Sequence, residues 1–185
     1  VTLDAASQDD LDTMLEQMAE LVLDAGAMDV LVADTPAKIK DAWAARSSFL
    51  EAIMHETKLL DECDVVVPVN KIADYLDFVN KTGEECGLTI KSFGHAGDGN
   101  LHIYQCSNDL EEEEFKSRVD KFFEIIYKEA TNCGGLVSGE HGIGSGKIKY
   151  LIDSVGETNM ALMEGIKRVF DPKMILNPGK VCYRL

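Results

Sequence analysis

Two runs of β-forming residues, 89–93 and 101–106, flank the stretch Gly94-His-Ala-Gly-Asp-Gly-Asn-Leu-His102. Its glycines and its Asp-Gly step favour a tight reversal, so the two runs are expected to pair as an antiparallel hairpin. Two residues seven apart, His95 and His102, then become cross-strand neighbours with β-carbons about 5 Å apart, a workable separation for two imidazoles on one metal ion. A single histidine in such a place would read as a sheet hydrogen-bonding residue, whereas two around one glycine turn read as a ligand pair.

A second glycine-rich stretch, Ser138-Gly-Glu-His-Gly-Ile-Gly144, supplies Glu140 and His141, so the two stretches together hold three of the chain's four histidines. In extended backbone the side chains of Glu140 and His141 point to opposite sides, and one could bind a metal while the other faced a substrate. An exposed turn is the plain alternative for an isolated Glu-His pair between glycines. Two imidazoles and one carboxylate make the ligand set of an open catalytic site, with Zn²⁺, Fe²⁺ and Mn²⁺ all acceptable. Phosphate-loop readings fail on spacing. In Gly142-Ile-Gly-Ser-Gly-Lys-Ile148 an isoleucine stands where Ser or Thr is required, His141 occupies the place of the first glycine, and neither stretch gives GxGxxG.

The chain has 185 residues, enough for one domain with its own core. Its net charge of −15 argues against nucleic acid and anionic membrane surfaces, which bind through Lys and Arg. No apolar run approaches a membrane-spanning length. The five cysteines are scattered and odd in number, with no CxxC pair, so neither a disulfide framework nor an iron-sulfur cluster is expected and a reduced, cytoplasmic protein is the simpler reading. The opening at Val1, with residues 1–4 resembling the end of a strand, leads us to expect a fragment of a longer protein.

Periodicity places the remaining elements. Ser7 caps a helix with Leu11, Met14, Leu15, Met18, Leu21 and Val22 on a buried face, and residues 30–32 form a short strand. Thr35-Pro36 opens a helix carrying Trp43, Arg46, Leu50 and Ile53. Residues 64–69 form a strand ended by Asn70, which caps a helix through Ile72, Tyr75, Leu76 and Val79. A long helix buries Phe115, Val119, Phe122, Phe123 and Ile126 behind an acidic, solvated first turn at Glu111 to Glu114. A last helix with Leu162, Met163, Ile166 and Phe170 inward is stopped by Pro172. Such an order predicts an α+β fold, a mainly antiparallel sheet with helices on one face.

Three segments in this order resemble the C-terminal cap domain of FAD-linked oxidases, the group with the glycolate oxidase flavin subunit, D-lactate dehydrogenase and D-2-hydroxyglutarate dehydrogenase. They are Gly94-His-Ala-Gly-Asp-Gly-Asn-Leu-His102, Ser138-Gly-Glu-His-Gly-Ile-Gly144 with Lys147, and Phe170-Asp-Pro-Lys-Met-Ile-Leu-Asn-Pro-Gly-Lys180. The resemblance extends over nearly all of the chain, including Trp43-Ala-Ala-Arg46 and Asp64-Val-Val-Val-Pro68. It implies a single cap domain, residues 1–185, with ferredoxin-like elements. It implies His95, His102 and Glu140 as ligands of a divalent metal, His141 as catalytic base and Arg46 as the holder of the substrate carboxylate. It also implies Asn177 and Lys180 in a segment returning to FAD, the flavin itself being bound mainly by an N-terminal domain. The expected reaction is oxidation of a small D-2-hydroxy acid to the 2-oxo acid, by proton removal at His141 and hydride transfer to FAD. Members that take 2-hydroxyglutarate carry an asparagine where this chain has Tyr104 and a lysine where it has Glu62 and Cys63, so D-lactate or glycolate is the expected substrate. The run from Asp61 to Lys71 resembles lactate dehydrogenases that pass electrons to an electron-transferring flavoprotein, and an iron-sulfur subunit is the other expected acceptor. Two rivals stay open: a metal-dependent hydrolase with Asp98 or His141 as base, and a docking module whose acidic face recruits an electron-transfer partner. The isolated chain is expected to fold without turning over substrate.

Overall fold

A computed structural model describes residues 1–182, which resolve into two compact units, one of residues 1–50 and one from Glu51 onward. In the first unit, α1 (Gln8–Asp24) is capped by Ser7, whose hydroxyl accepts from Asp10 N at 3.2 Å. Helix α2 (Pro36–Ser47) is capped by Thr35 with proline in its first turn. Both starts follow the capping rules read from sequence. The apolar stripe of α1 is present but none of its residues is buried. No strand forms at residues 1–4 or 30–32. Leu31 is 89% exposed, and three apolar residues without a partner ladder cannot hold an extended conformation.

The predicted helix through Trp43 and Ile53 is two helices. Ser47 and Ser48 turn their hydroxyls back onto the carbonyls of Trp43 and Ala44, α2 ends there, and α3 (Phe49–Glu56) begins. Consecutive serines compete with the helical ladder in this way.

The second unit is built on a three-stranded antiparallel sheet of order β1-β3-β2, with β1 at Leu59–Val66, β2 at Thr89–His95 and β3 at Asn100–Ser107. The predicted hairpin is therefore present, and the fold is α+β as expected. Strand β1 begins earlier than its Asp-Val run indicated and stops at Val66, because Val67 N donates to Gly99 O and Pro68 leads into a 3-10 turn at Val69–Lys71. Asn70 lies inside that turn and does not cap α4 (Ile72–Cys86), whose first turn has no side-chain cap.

Helices α4 and α5 (Glu112–Asn132) cover the sheet face carrying Cys63, Val65, Leu101 and Ile103. Tyr75, Val79, Phe122, Ile126 and Tyr127 fill the layer, and the Tyr75 hydroxyl donates to Ile126 O at 2.8 Å. Burial of these side chains, at about 1.5–3 kcal/mol for each large one, is what holds the sheet in place. Helix α6 (Ile148–Phe170) is broken at Gly156, whose backbone (φ 77, ψ 166) is not helical. Tyr150, Leu151 and Met160 are buried, whereas Leu162, Ile166 and Phe170, predicted to face inward, are 60%, 63% and 81% exposed. Past the break Met160 and the partly buried Met163, also predicted to face inward, keep the helix on the core, which leaves Leu162 and Ile166 on its other side. The helix ends at Phe170, as Pro172 required, and the Asp171 carboxylate receives the amides of Ile175 and Leu176.

All five cysteines are free thiols, as their spacing implied. Among the described residues no helix is long and apolar enough to cross a membrane.

Candidate metal and substrate site

Strand β3 is buried along both faces from Asn100 to Cys106. Leu101 and Ile103 turn to the helices, so alternation puts Asn100, His102, Tyr104 and Cys106 on the opposite face. There His102 is paired with Asp64 of β1 on one side and with Phe93 of β2 on the other. His95 is paired with Asn100, so the two motif histidines are diagonal and not directly opposed as their spacing predicted. The cause is the turn: residues 96–99 form a four-residue reversal in which Asp98 N and Gly99 N donate to His95 O. The His95 and His102 ring centroids are nevertheless 5.8 Å apart, edge to face.

Two features fix the reversal. Asp98 Oδ1 accepts from Asn100 N at 3.0 Å. Gly99 has φ +80, and a β-carbon there would lie 1.9 Å from Val67 O, so only glycine fits.

The second glycine-rich stretch is hung from a single carboxylate. Asp64 is fully buried, and its Oδ2 accepts from the amides of Gly139, Glu140 and His141 at 2.7, 2.8 and 3.0 Å. Ser138 Oγ donates to the same carboxylate, and the Lys147 ammonium is bound to both Asp64 Oδ1 and Asp64 O. Burial pushes the Asp64 carboxyl up, but the Lys147 contact and the His141 and Glu140 amides outweigh it and hold the group well below the usual carboxylate range. Three successive amides folded around one anion form a concave nest, here filled from within the protein. A β-carbon at Gly139 would stand 1.9 Å from Asn100 Nδ2, so any larger residue there must displace the Asn100 amide.

This bent backbone, unlike the extended one assumed from sequence, turns Glu140 and His141 toward the same space. Glu140 Oε1 lies 3.0 Å from His102 Nε2 and 4.0 Å from both His95 Nε2 and His141 Nε2. The His102 and His141 rings are 5.0 Å apart. The His102 side chain is only 6% exposed, whereas those of His95, Glu140 and His141 are 48%, 55% and 43% exposed, so the cluster is closed below and open above.

The donor set fits a divalent cation. One atom each from His95, His102 and Glu140 lie within 4.8 Å of one another, and a second trio is Glu62, His102 and His141. A tetrahedral ion with bonds of about 2.0–2.1 Å holds its ligands about 3.4 Å apart, which small rotations of the exposed His95 and Glu140 would reach. Buried His102 Nδ1 and Glu62 Oε1 have no hydrogen-bond partner, so the polar network is not complete by itself.

The other residues singled out from sequence are placed as follows. Arg46 lies in the last turn of α2, in the first unit, with its guanidinium carbon 5.7 Å from the centre of the Phe49 ring. Asn177 adopts a left-handed conformation (φ 45), Lys180 Nζ donates to Ser145 Oγ at 3.4 Å, and Val181 N donates to Gly144 O. The tail thus returns to the end of the histidine-bearing loop.

Sequence reading missed the parts played by Asp64, Glu62 and Asn100. Asn100 is buried under Gly139, with Nδ2 donating to Val65 O at 3.1 Å. The available signal was a carboxylate set into an apolar strand run, a costly placement unless it is paired.

Residues 1–181 match the model of the family described as FAD linked oxidases, C-terminal domain. The chain is 60% identical over its whole length to a D-lactate dehydrogenase of Anaerostipes hadrus, of which it covers 39%. It is 37% identical to a D-lactate dehydrogenase of Archaeoglobus fulgidus, over 92% of this chain and 37% of the relative. It is 34% identical to the glycolate oxidase subunit GlcD of Bacillus subtilis, over 90% of this chain and 35% of the relative. The chain spans less than two fifths of the length of these relatives. With the histidine and carboxylate cluster at its centre, the chain belongs to the C-terminal domain family of the FAD linked oxidases.

Proposed function

We propose that this chain is the metal- and substrate-binding cap, residues 1–185, of an FAD-dependent dehydrogenase that oxidises a small D-2-hydroxy acid, D-lactate or glycolate, to the 2-oxo acid. The observation that carries the proposal is the convergence of His95, His102 and His141 on Glu140, in a chain similar to proteins named D-lactate dehydrogenase and glycolate oxidase.

His95, His102 and Glu140 would hold the divalent ion, Zn²⁺, Fe²⁺ or Mn²⁺. Such an ion supplies Lewis acidity that lowers the pKa of a hydroxyl bound to it. His141, beside the ligands and half exposed, takes the hydroxyl proton as general base. Arg46 would grip the substrate carboxylate in a two-pronged, charge-assisted contact and so orient C2. FAD, held mainly by the part of the parent protein outside this chain and approached by Asn177 and Lys180, supplies the hydride acceptor. Tyr104 and Glu62 offer no cation for a second carboxylate and Lys147 is committed to Asp64, which favours a small monocarboxylic substrate.

An electron-transferring flavoprotein or an iron-sulfur subunit would take the electrons onward. Five free thiols fit a reducing, cytoplasmic setting. The hydrolase alternative is disfavoured by membership of an oxidase family and by the use of Asp98 in closing its own turn.

Dye-linked oxidation by the full-length parent with FAD, across D-lactate, L-lactate, glycolate and D-2-hydroxyglutarate, tests the proposal. Flavin-dependent turnover of D-lactate or glycolate, abolished by a chelator and restored by a divalent ion, is expected. Turnover unaffected by removal of the ion would exclude the metal role.

A further inference from the structure

Glu62 has no place in the His95, His102 and Glu140 ligand set, yet its Oε1 is buried, lacks a hydrogen bond, and lies 3.5 Å from both His102 Nδ1 and His141 Nδ1. The two imidazoles thus present their Nε2 atoms to Glu140 and their Nδ1 atoms to a second carboxylate on the opposite side.

A neutral imidazole carries one N–H and one lone pair, and whichever nitrogen keeps the proton is set by the acceptor within its reach. His102 Nδ1 is buried and unpartnered, so a proton there needs an acceptor beneath the ring. Asp64 Oδ1 stands 3.9 Å from His141 Nδ1, but it is already taken by Lys147 and Ser138. Glu62 is left to receive on the Nδ1 side: from His141, to which it is nearer than Glu140 is, and from His102 once the Nε2 of that ring, 3.0 Å from Glu140 Oε1, is given to an ion. Strand register puts it there, opposite Tyr104 and two residues before Asp64, on the same face of the sheet as His102.

We propose that Glu62 is a positioning residue that holds His141, and His102 once its Nε2 is given to an ion, in the Nδ1–H tautomer, so that one carboxylate prepares a ligand nitrogen and a base nitrogen together. The inference rests on the metal and base assignments above for its function, though not for its test. Carboxylates in this position behind metal-binding histidines orient the ring and raise its basicity, and their loss typically costs about 10–100-fold in metal affinity. For His141 the same contact keeps Nε2 free to accept a proton.

The 185-residue chain, uniformly ¹⁵N-labelled and free of metal, can be examined by long-range ¹H–¹⁵N correlation of its imidazoles, with His102→Gln and His141→Gln used for assignment. His141 is expected as the Nδ1–H tautomer in the metal-free chain, and His102 as the Nδ1–H tautomer after Zn²⁺ is added. Glu62→Ala should let the Nε2–H form appear in His141 and weaken Zn²⁺ binding about 10–100-fold. Glu62→Gln, which keeps a carbonyl oxygen in place, should retain the Nδ1–H pattern. Should Glu62→Ala lose its dispersed amide spectrum, the wild-type and Glu62→Gln tautomers alone decide. An Nε2–H tautomer at His141 in the wild-type protein, an unchanged His141 tautomer in a folded Glu62→Ala, or Zn²⁺ shifting Nδ1 in place of Nε2 would overturn the proposal. The Nδ1–H tautomer at His141 without Zn²⁺ binding would support the role of Glu62 while removing the metal assignment.

Discussion

The buried Asp64 carboxylate is bound to the Lys147 ammonium, and this pair ties the middle of β1 to the residue just before α6. What brings Glu140 and His141 over the sheet hangs on the same carboxylate, because the loop amides converge on its other oxygen, Oδ2.

Removing one partner of this pair should therefore be severe. Lys147→Met leaves the buried carboxylate without its cation, held by Ser138 and the three loop amides alone, and is expected to cost about 3–5 kcal/mol of unfolding free energy. Urea unfolding followed by circular dichroism measures it. A loss below 1 kcal/mol would show that the loop is held by other means.

The glycines of the first turn are not equivalent. Gly99→Ala forces a β-carbon against Val67 O at a left-handed φ and should destabilise by more than about 1 kcal/mol. Gly97→Ala meets nothing within 4 Å and should stay within about 0.5 kcal/mol of the wild type. Comparing the two melting curves checks the turn without disturbing any candidate ligand.

The thiols should differ in reactivity. Burial pushes the Cys63 thiol up to about 12, and Cys63 is 1% exposed, so it is expected to resist alkylation in the folded protein. Cys133, only partly buried, should be modified first by limited iodoacetamide treatment, with mass spectrometry giving the order. Early labelling of Cys63 would contradict the packing between β1 and α5.

Asp171 gives a pH prediction. Burial raises its carboxyl pKa, but the Leu176 and Ile175 amides and Lys167 outweigh that, and the net direction is downward. A carboxyl depressed in the folded state contributes stability above its unfolded value, about 3.9, and that contribution is lost as pH falls through the folded value. Asp171→Asn should thus be less stable than wild type at neutral pH, and the two urea midpoints should converge in acid. Parallel pH curves would deny Asp171 this role.

Much of the candidate site was legible because its chemistry is local: His95 and His102 flank one glycine-rich turn, at the end of β2 and within β3, and Glu140 and His141 lie in a second glycine-rich stretch. The hairpin was legible too, through its flanking β-branched and aromatic residues. The register that makes His95 and His102 diagonal was not, since it depends on whether the reversal takes two residues or four, a choice settled by Gly99 packing on Val67 O. Asp64 and Glu62 were hidden because alternation along β1 is visible only once the partner strand identifies the open face. Residues 30–32 and the inner face of α6 were misread for a common reason: local pattern gives a preference, and burial needs a partner surface.

The most direct test of the metal-centred account is to measure bound divalent ion and D-lactate oxidation together in the full-length parent carrying His102→Ala, with its flavin shown to be retained. Loss of the ion together with at least a hundredfold fall in turnover, as expected when a group that acts on the reacting oxygen is removed, is the predicted result. An ion-free variant that keeps its flavin and oxidises D-lactate at the wild-type rate would contradict the account.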